Sequence, residues 1–150
     1  MREVMADIER WRAEGKRVAL ATVVSVAGSA PRGLGATLAA SDAGEISGSV
    51  SGGCVEPAVI EEGMRALRTG KPTLLTFGIT EEQNLEQIGL SCGGEIQVFV
   101  QALADGDWQP LAQALRAGQP AVWGVVIGGP AEQVGTTATW VDSGASARSE

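Results

Sequence analysis

Apolar side chains recur along this chain in two rhythms, one helical and one extended. Val4, Ile8 and Trp11 fall at helical spacing and Gly15 follows as a stop, which predicts an amphipathic helix near residues 2–14. Residues 18–26 are rich in β-branched side chains and almost wholly apolar, as expected of a strand covered on both faces. Residues 37–41 and 45–50 flank Asp42-Ala43-Gly44 and read as a hairpin with glycine in the left-handed position. A second helix starts after Ser51-Gly52-Gly53, with Val55, Val59, Ile60, Met64 and Leu67 as its apolar stripe. Pro57 suits its first turn, and Gly70 followed by Pro72 ends it.

The second half is less regular. Residues 73–77 form a strand candidate, and Thr80-Glu81-Glu82-Gln83 reads as a capping box for a short helical turn running through Leu85 and Ile88 to Gly89. Ile96, Val98 and Val100 alternate with other side chains, which predicts a strand over 95–101. A short helix near 109–117 and a buried strand over 121–127 follow. Beyond Gly128-Gly129-Pro130 the pattern weakens, and the polar residues 144–150 are expected to fray. Helices mix with strands without a repeated βα unit or any other internal repeat. The expected fold is α/β: a single domain over 1–150 with a mixed β-sheet flanked by helices.

Composition narrows the chemistry more than the fold. The 150 residues suit one sizeable core, and a hydrophobic fraction of 44% is too high for disorder. Eighteen acids against 11 bases give a net charge of −7, the wrong sign for a general nucleic-acid binder. The N-terminus lacks the apolar run of a signal peptide and no stretch approaches a membrane span, so the expected location is the cytoplasm, where thiols stay reduced. The chain has no histidine and no tyrosine, which excludes a Ser-His-Asp triad, a Cys-His pair and a histidine-rich metal site.

What remains is sulfur set among glycines. Cys54 and Cys92 are the two cysteines, in Ser51-Gly52-Gly53-Cys54-Val55-Glu56 and Ser91-Cys92-Gly93-Gly94-Glu95. They form no Cys-x-x-Cys redox motif, two thiols alone do not complete a zinc site, and a disulfide is disfavoured in the cytosol. Cys54 stands at a helix start, where unpaired amides and the helix dipole favour negative charge: a thiolate, or an anionic group of a ligand. It is equally a small core residue at a tight turn. Cys92 precedes Gly93-Gly94 at the mouth of a strand, where a ligand can approach the backbone closely; its plain alternative is a turn cysteine with no chemical duty. Arg32, between Pro31 and Gly33, is either a clamp for phosphate or carboxylate or a solvated surface cation. Glu56 reads as a helix-start carboxylate rather than an acid catalyst. Gly33-Leu34-Gly35 lacks the third glycine and the following helix of a dinucleotide fingerprint, and no Walker A lysine follows Gly53.

Three motifs in order carry a resemblance: Gly28-Ser29-Ala30-Pro31-Arg32, then the stretch from Asp42 to Glu56 ending Ser51-Gly52-Gly53-Cys54-Val55-Glu56, then Gly89-Leu90-Ser91-Cys92-Gly93-Gly94. Over roughly residues 1–102 the chain resembles the XdhC/CoxI family of maturation factors for molybdenum hydroxylases, and Cys54 looks like its CoxI-type branch. The resemblance implies an accessory protein without turnover of its own, which binds the molybdenum cofactor as cargo and delivers it, in sulfurated form, to an apo molybdenum hydroxylase subunit of the xanthine dehydrogenase or carbon monoxide dehydrogenase type. It puts the cofactor against Arg32, Gly52, Gly53, Cys54, Cys92, Gly93 and Gly94, with Cys92 or Cys54 facing molybdenum; soft thiolate suits such a centre. Two other readings stay open: a persulfide-carrying sulfurtransferase supplied by a cysteine desulfurase, and a plain interaction domain. Homo-oligomer formation is left open too. Many relatives continue into a Rossmann-like second domain, for which these residues hold no fingerprint, so no NAD is expected here.

Overall fold

The computed structural model describes residues 1–78 and 93–142. In chain order its elements are α1 (Arg2–Ala13), β1 (Val18–Ala27), β2 (Thr37–Ser41), β3 (Ile46–Gly48), α2 (Glu56–Thr69), β4 (Thr73–Phe77), β5 (Glu95–Ala102), α3 (Asp105–Arg116), β6 (Ala121–Val125) and β7 (Thr137–Val141). Where the sequence suggests one domain over 1–150, the chain groups into two compact units, Met1–Ala102 and Leu103–Glu150.

The first unit is built on a five-stranded sheet in the order β3-β2-β1-β5-β4. Helices and strands combine as expected, but the sheet is not mixed: the four pairings are all antiparallel. The apolar character of β1 suggested the two-sided burial of a parallel sheet. Here an antiparallel sheet is covered on both faces of its middle strand instead, and Val18, Ala19, Leu20 and Ala21 are all buried.

Alternation along the strands assigns the helices to opposite faces. Leu38 belongs to one buried cluster with Val59 of α2, Ala21 and Val23 of β1, and Ile96, Val98 and Val100 of β5. Its neighbour Thr37 points the other way and accepts a hydrogen bond from the Met1 amino group at the start of α1. There Val4, Ile8 and Trp11 are sunk against the sheet, each no more than 1% exposed. Close packing of α2 explains Gly63: a Cβ there would stand 3.1 Å from the Ala19 methyl.

Two local predictions rest on backbone handedness. Gly44 in the β2–β3 hairpin has φ +85. Gly70 caps α2 in the left-handed conformation at φ +70, and its N–H bonds to the Ala66 carbonyl. The capping box at 80–83 and the fraying expected of 144–150 fall outside the described residues.

In the second unit α3 packs on the β6–β7 hairpin. The helix begins at Asp105 rather than near 109, and Pro110 lies inside it. β6 is shorter than expected and not buried: Val122 is 63% exposed. β7 was not anticipated. It pairs with β6 throughout, from Ala121 opposite Val141 to Val125 opposite Thr137.

Candidate functional site at one end of the sheet

The ends of β1 and β3 and the starts of β2, β5 and α2 meet at one end of the first sheet. Ala27 closes β1 opposite Glu95, which opens β5. Gly48 closes β3 opposite Leu38 in β2, and the Ser49 N–H continues that contact to the Thr37 carbonyl at 3.0 Å. The loop from Gly28 to Gly35 returns to the same place, with the Gly35 N–H bonded to the Val23 carbonyl at 2.9 Å. Sheet topology therefore brings together segments far apart in sequence.

Glycines measure how closely these segments approach. A Cβ on Gly94 would lie 1.9 Å from the Ser29 carbonyl oxygen and 3.0 Å from that of Ala27, so the bend of the third motif sits directly on the loop of the first. A Cβ on Gly28 would stand 3.4 Å from the Gly94 Cα. On the other side, a Cβ on Gly52 would meet the Pro31 side chain at 3.9 Å. Ala30 and Cys54 both pack on the central cluster. The Gly28–Pro31 loop thus touches Gly94 at one end and the Gly52 bend at the other. Gly93 is exposed, with φ +74. Cys92 lies outside the described residues, so its sulfur is not placed.

The Gly52–Cys54 bend is wired from within. Glu56, in the first turn of α2, folds its carboxylate back over the preceding loop. One oxygen, Oε1, accepts from the Ser49 hydroxyl at 2.7 Å, the Val50 N–H at 3.1 Å and the Ser51 N–H at 2.9 Å. The other, Oε2, accepts from the Gly53 N–H at 2.8 Å and from the Ser51 hydroxyl. Ser51 is buried, and its Oγ also accepts the Val55 N–H at 3.0 Å, just ahead of the helix start. The Gly52 N–H donates to Ser49 Oγ at 2.8 Å. Burial acts to raise the Glu56 pKa, but the hydroxyls of Ser51 and Ser49 and the Ser51 amide together outweigh it and bring the pKa down to about 2.

This changes the reading of the bend. The amides of Gly52 and Gly53, expected from the sequence to grip an anion, already serve Ser49 and Glu56. Glu56 does more than complement the helix dipole: it holds the whole turn. Ser49, Ser51 and Glu56 are the residues that sequence reasoning missed as a group. Their signal was the pair of serines at 49 and 51 ahead of an acid at the helix start, a variation on the capping box.

Arg32 is likewise engaged. Its Nη2 lies 2.7 Å from Glu3 Oε1 of α1, with the two side chains 36% and 44% exposed. It binds a carboxylate as its chemistry suggests, but one of its own chain. An exposed pair of this kind contributes at most about 1 kcal/mol and exchanges readily for a better anion. Cys54 is a half-buried thiol. The described residues at this sheet end therefore include exposed glycine backbone at Gly52 and Gly53 and the half-buried Cys54 thiol, while the Arg32 guanidinium turns toward Glu3 of α1. Exposed glycine backbone lets a ligand approach closely, and a half-buried thiol suits soft sulfur or metal. Among the described residues no group of three or more histidine, cysteine or acidic side chains is arranged to hold a metal ion. A separate groove of about 210 Å³ beside α2 and β4, lined in part by Glu62, Arg65, Leu75 and Phe77, contains none of the residues singled out from the sequence.

Residues 11–78 match the model of the XdhC and CoxI family. The Escherichia coli (strain K12) molybdenum cofactor insertion chaperone PaoD is 36% identical over 102 residues, covering 68% of this chain and 31% of PaoD. The protein YqeB of the same organism is 39% identical over 82 residues, 55% of this chain and 15% of YqeB. The chain thus spans less than a third of either curated relative. A crystal structure described as a xanthine dehydrogenase from Bacillus halodurans superposes with a TM-score of 0.73 at 22% identity, covering 92% of this chain and 42% of that one. At that identity the likeness concerns the fold.

Proposed function

We propose, from the match of residues 11–78 to the XdhC and CoxI family, that the chain belongs to that family and acts in maturing a molybdenum hydroxylase, as the part of an accessory protein that receives molybdenum cofactor and hands it on. The cargo is the molybdenum cofactor, delivered in sulfurated form to an apo-enzyme subunit of the xanthine dehydrogenase or carbon monoxide dehydrogenase type, in the cytoplasm. One observation supports this beyond kinship. The Arg32 corner, the Gly52–Cys54 bend and the Gly93–Gly94 bend, scattered along the sequence, come to one end of one sheet. In this reading Cys54 and Cys92 face the sulfur- and metal-bearing part of the cargo, Arg32 leaves Glu3 to take its anionic part, and the glycines let it approach the backbone.

A carrier must also let go. An exposed arginine already held by an internal carboxylate grips a ligand with only the difference between two ion pairs, which favours exchange over trapping. The sulfur-transfer alternative would draw on loop amides to stabilise a thiolate, and those of Gly52 and Gly53 are committed elsewhere. That favours the carrier.

The test is direct. Purified protein mixed with molybdenum cofactor, released from a purified molybdenum enzyme, should co-elute with it on size exclusion. Cys92→Ala and Cys54→Ala should reduce the bound fraction and the activation of the apo-hydroxylase. No co-elution, together with full activation by the Cys92→Ala variant, refutes the proposal.

A further inference from the structure

The carboxylate of Glu56 occupies an unusual position: it is a residue of α2, yet its hydrogen bonds all go to the loop in front of the helix. They divide between its two oxygens. Oε1 holds the half of the loop nearer β3, through Ser49, Val50 and Ser51. Oε2 holds the Gly53 N–H, immediately before Cys54, and the Ser51 hydroxyl. Gly52 and Gly53 have φ +77 and +118. Glycine crosses that region freely, so its own preferences do not fix the bend. Both glycines are also exposed, and packing does not fix them either. Within this loop the definition comes from the carboxylate, with Ser49 holding the Gly52 N–H as a secondary tie.

We infer that Glu56 is the positioning residue of the Cys54 bend: by anchoring the Gly53 amide from one side while Ser51 ties the bend to the start of α2, it sets where the Cys54 thiol and the two-glycine surface face an incoming ligand. This deepens the cofactor-carrier reading and rests on it for the identity of the ligand. The orienting role itself stands on the geometry alone. Glu56 acts through Gly53 and Cys54 and touches no ligand.

Glu56→Gln separates positioning from mere stability. With the amide oxygen in the place of Oε1, the bonds from Ser49, Val50 and Ser51 are kept, while the side-chain NH2 group meets the Gly53 N–H donor to donor. The variant therefore keeps one half of the loop and frees the half next to Cys54. The measurement is the rate of iodoacetamide alkylation of Cys54 in folded protein, read by peptide mass spectrometry and divided by the rate at Cys92 in the same chain. Cofactor affinity is measured in parallel, with molybdenum cofactor released from a purified enzyme as the probe.

The expected result is a Cys54/Cys92 ratio raised about fivefold well below the unfolding temperature, and cofactor binding weakened about tenfold, as for the loss of one charge-assisted hydrogen bond. Should Glu56→Gln fail to fold, Ser49→Ala removes one donor to the carboxylate and the acceptor of the Gly52 N–H, and a ratio raised about threefold is expected. A ratio indistinguishable from wild type in the folded variants overturns the inference, whatever their stability. If wild-type protein binds no cofactor, the carrier reading falls, and the alkylation ratio still decides whether Glu56 positions Cys54.

Discussion

Acid should loosen the Glu56 network in a narrow and calculable window. In the folded chain its pKa is brought from 4.5 to about 2. The depressed value means that the folded state prefers the ionised form, so the stabilisation is fully present above about pH 4.5 and is lost as pH falls toward 2. A displacement of that size corresponds to roughly 3 kcal/mol if the group were wholly shielded. Glu56 is only half-buried, and solvent screening reduces the figure to about 1–2 kcal/mol. Urea denaturation of wild type and Glu56→Gln at intervals from pH 7 to pH 3 reads it directly. Wild type should be more stable by about 1–2 kcal/mol at pH 7, and by pH 3 more than half of that gap should have closed, since protonated Glu56 resembles glutamine in charge. A gap that stays constant across the range would refute the reasoning, because it would mean that the carboxylate's charge contributes nothing to holding the loop.

Further expectations concern the same sheet end. Gly94→Ala, whose Cβ would lie 1.9 Å from the Ser29 carbonyl oxygen, should cost about 2–3 kcal/mol in urea denaturation because backbone must move. Gly93→Ala meets no neighbour within 4 Å but has φ +74, so about 1–2 kcal/mol is expected, and the reverse order would contradict the close approach of the two loops. Arg32→Ala should change stability by less than about 0.5 kcal/mol, since its partner is an exposed carboxylate, while lowering the bound cofactor fraction in the co-elution assay. A large loss of stability would show the Glu3 pair to be structural instead.

Much of the first unit was legible because single residues forced it. Gly44 and Gly70 mark a left-handed turn and a helix end that other residues adopt only under strain, and the stripe through Val55, Val59 and Leu67 leaves one way to bury α2. Strand direction was not legible. Apolar runs such as β1 record that both faces are covered, not which strand lies alongside, and the neighbour that β5 takes up is distant in sequence. β7, Thr-Ala-Thr-Trp-Val, is too short and too polar to stand out alone and is defined by its pairing with β6. The start of α3 was hidden by Gly106 and Pro110, both poor helix residues, which packing of Trp108, Leu111 and Ala112 overrides. At the site, residue types pointed to the right segments but not to their internal wiring. The serines at 49 and 51 ahead of Glu56 were the one local hint of its turn back over the loop, and nothing local in the sequence says that Arg32 reaches Glu3.

The bare backbone at position 94 bears on how such sequences should be read. Because Gly94 must pass within touching distance of the Ser29 peptide, part of the glycine-rich signature beside Cys92 encodes how loops nest, independently of sulfur chemistry. A chain with serine or alanine at 54 or 92 that kept Gly94, Ser49, Ser51 and Glu56 would be expected to build the same scaffold while handling its cargo differently. Glycine pattern and thiol content are then separate inheritances, one reporting shape and the other trade.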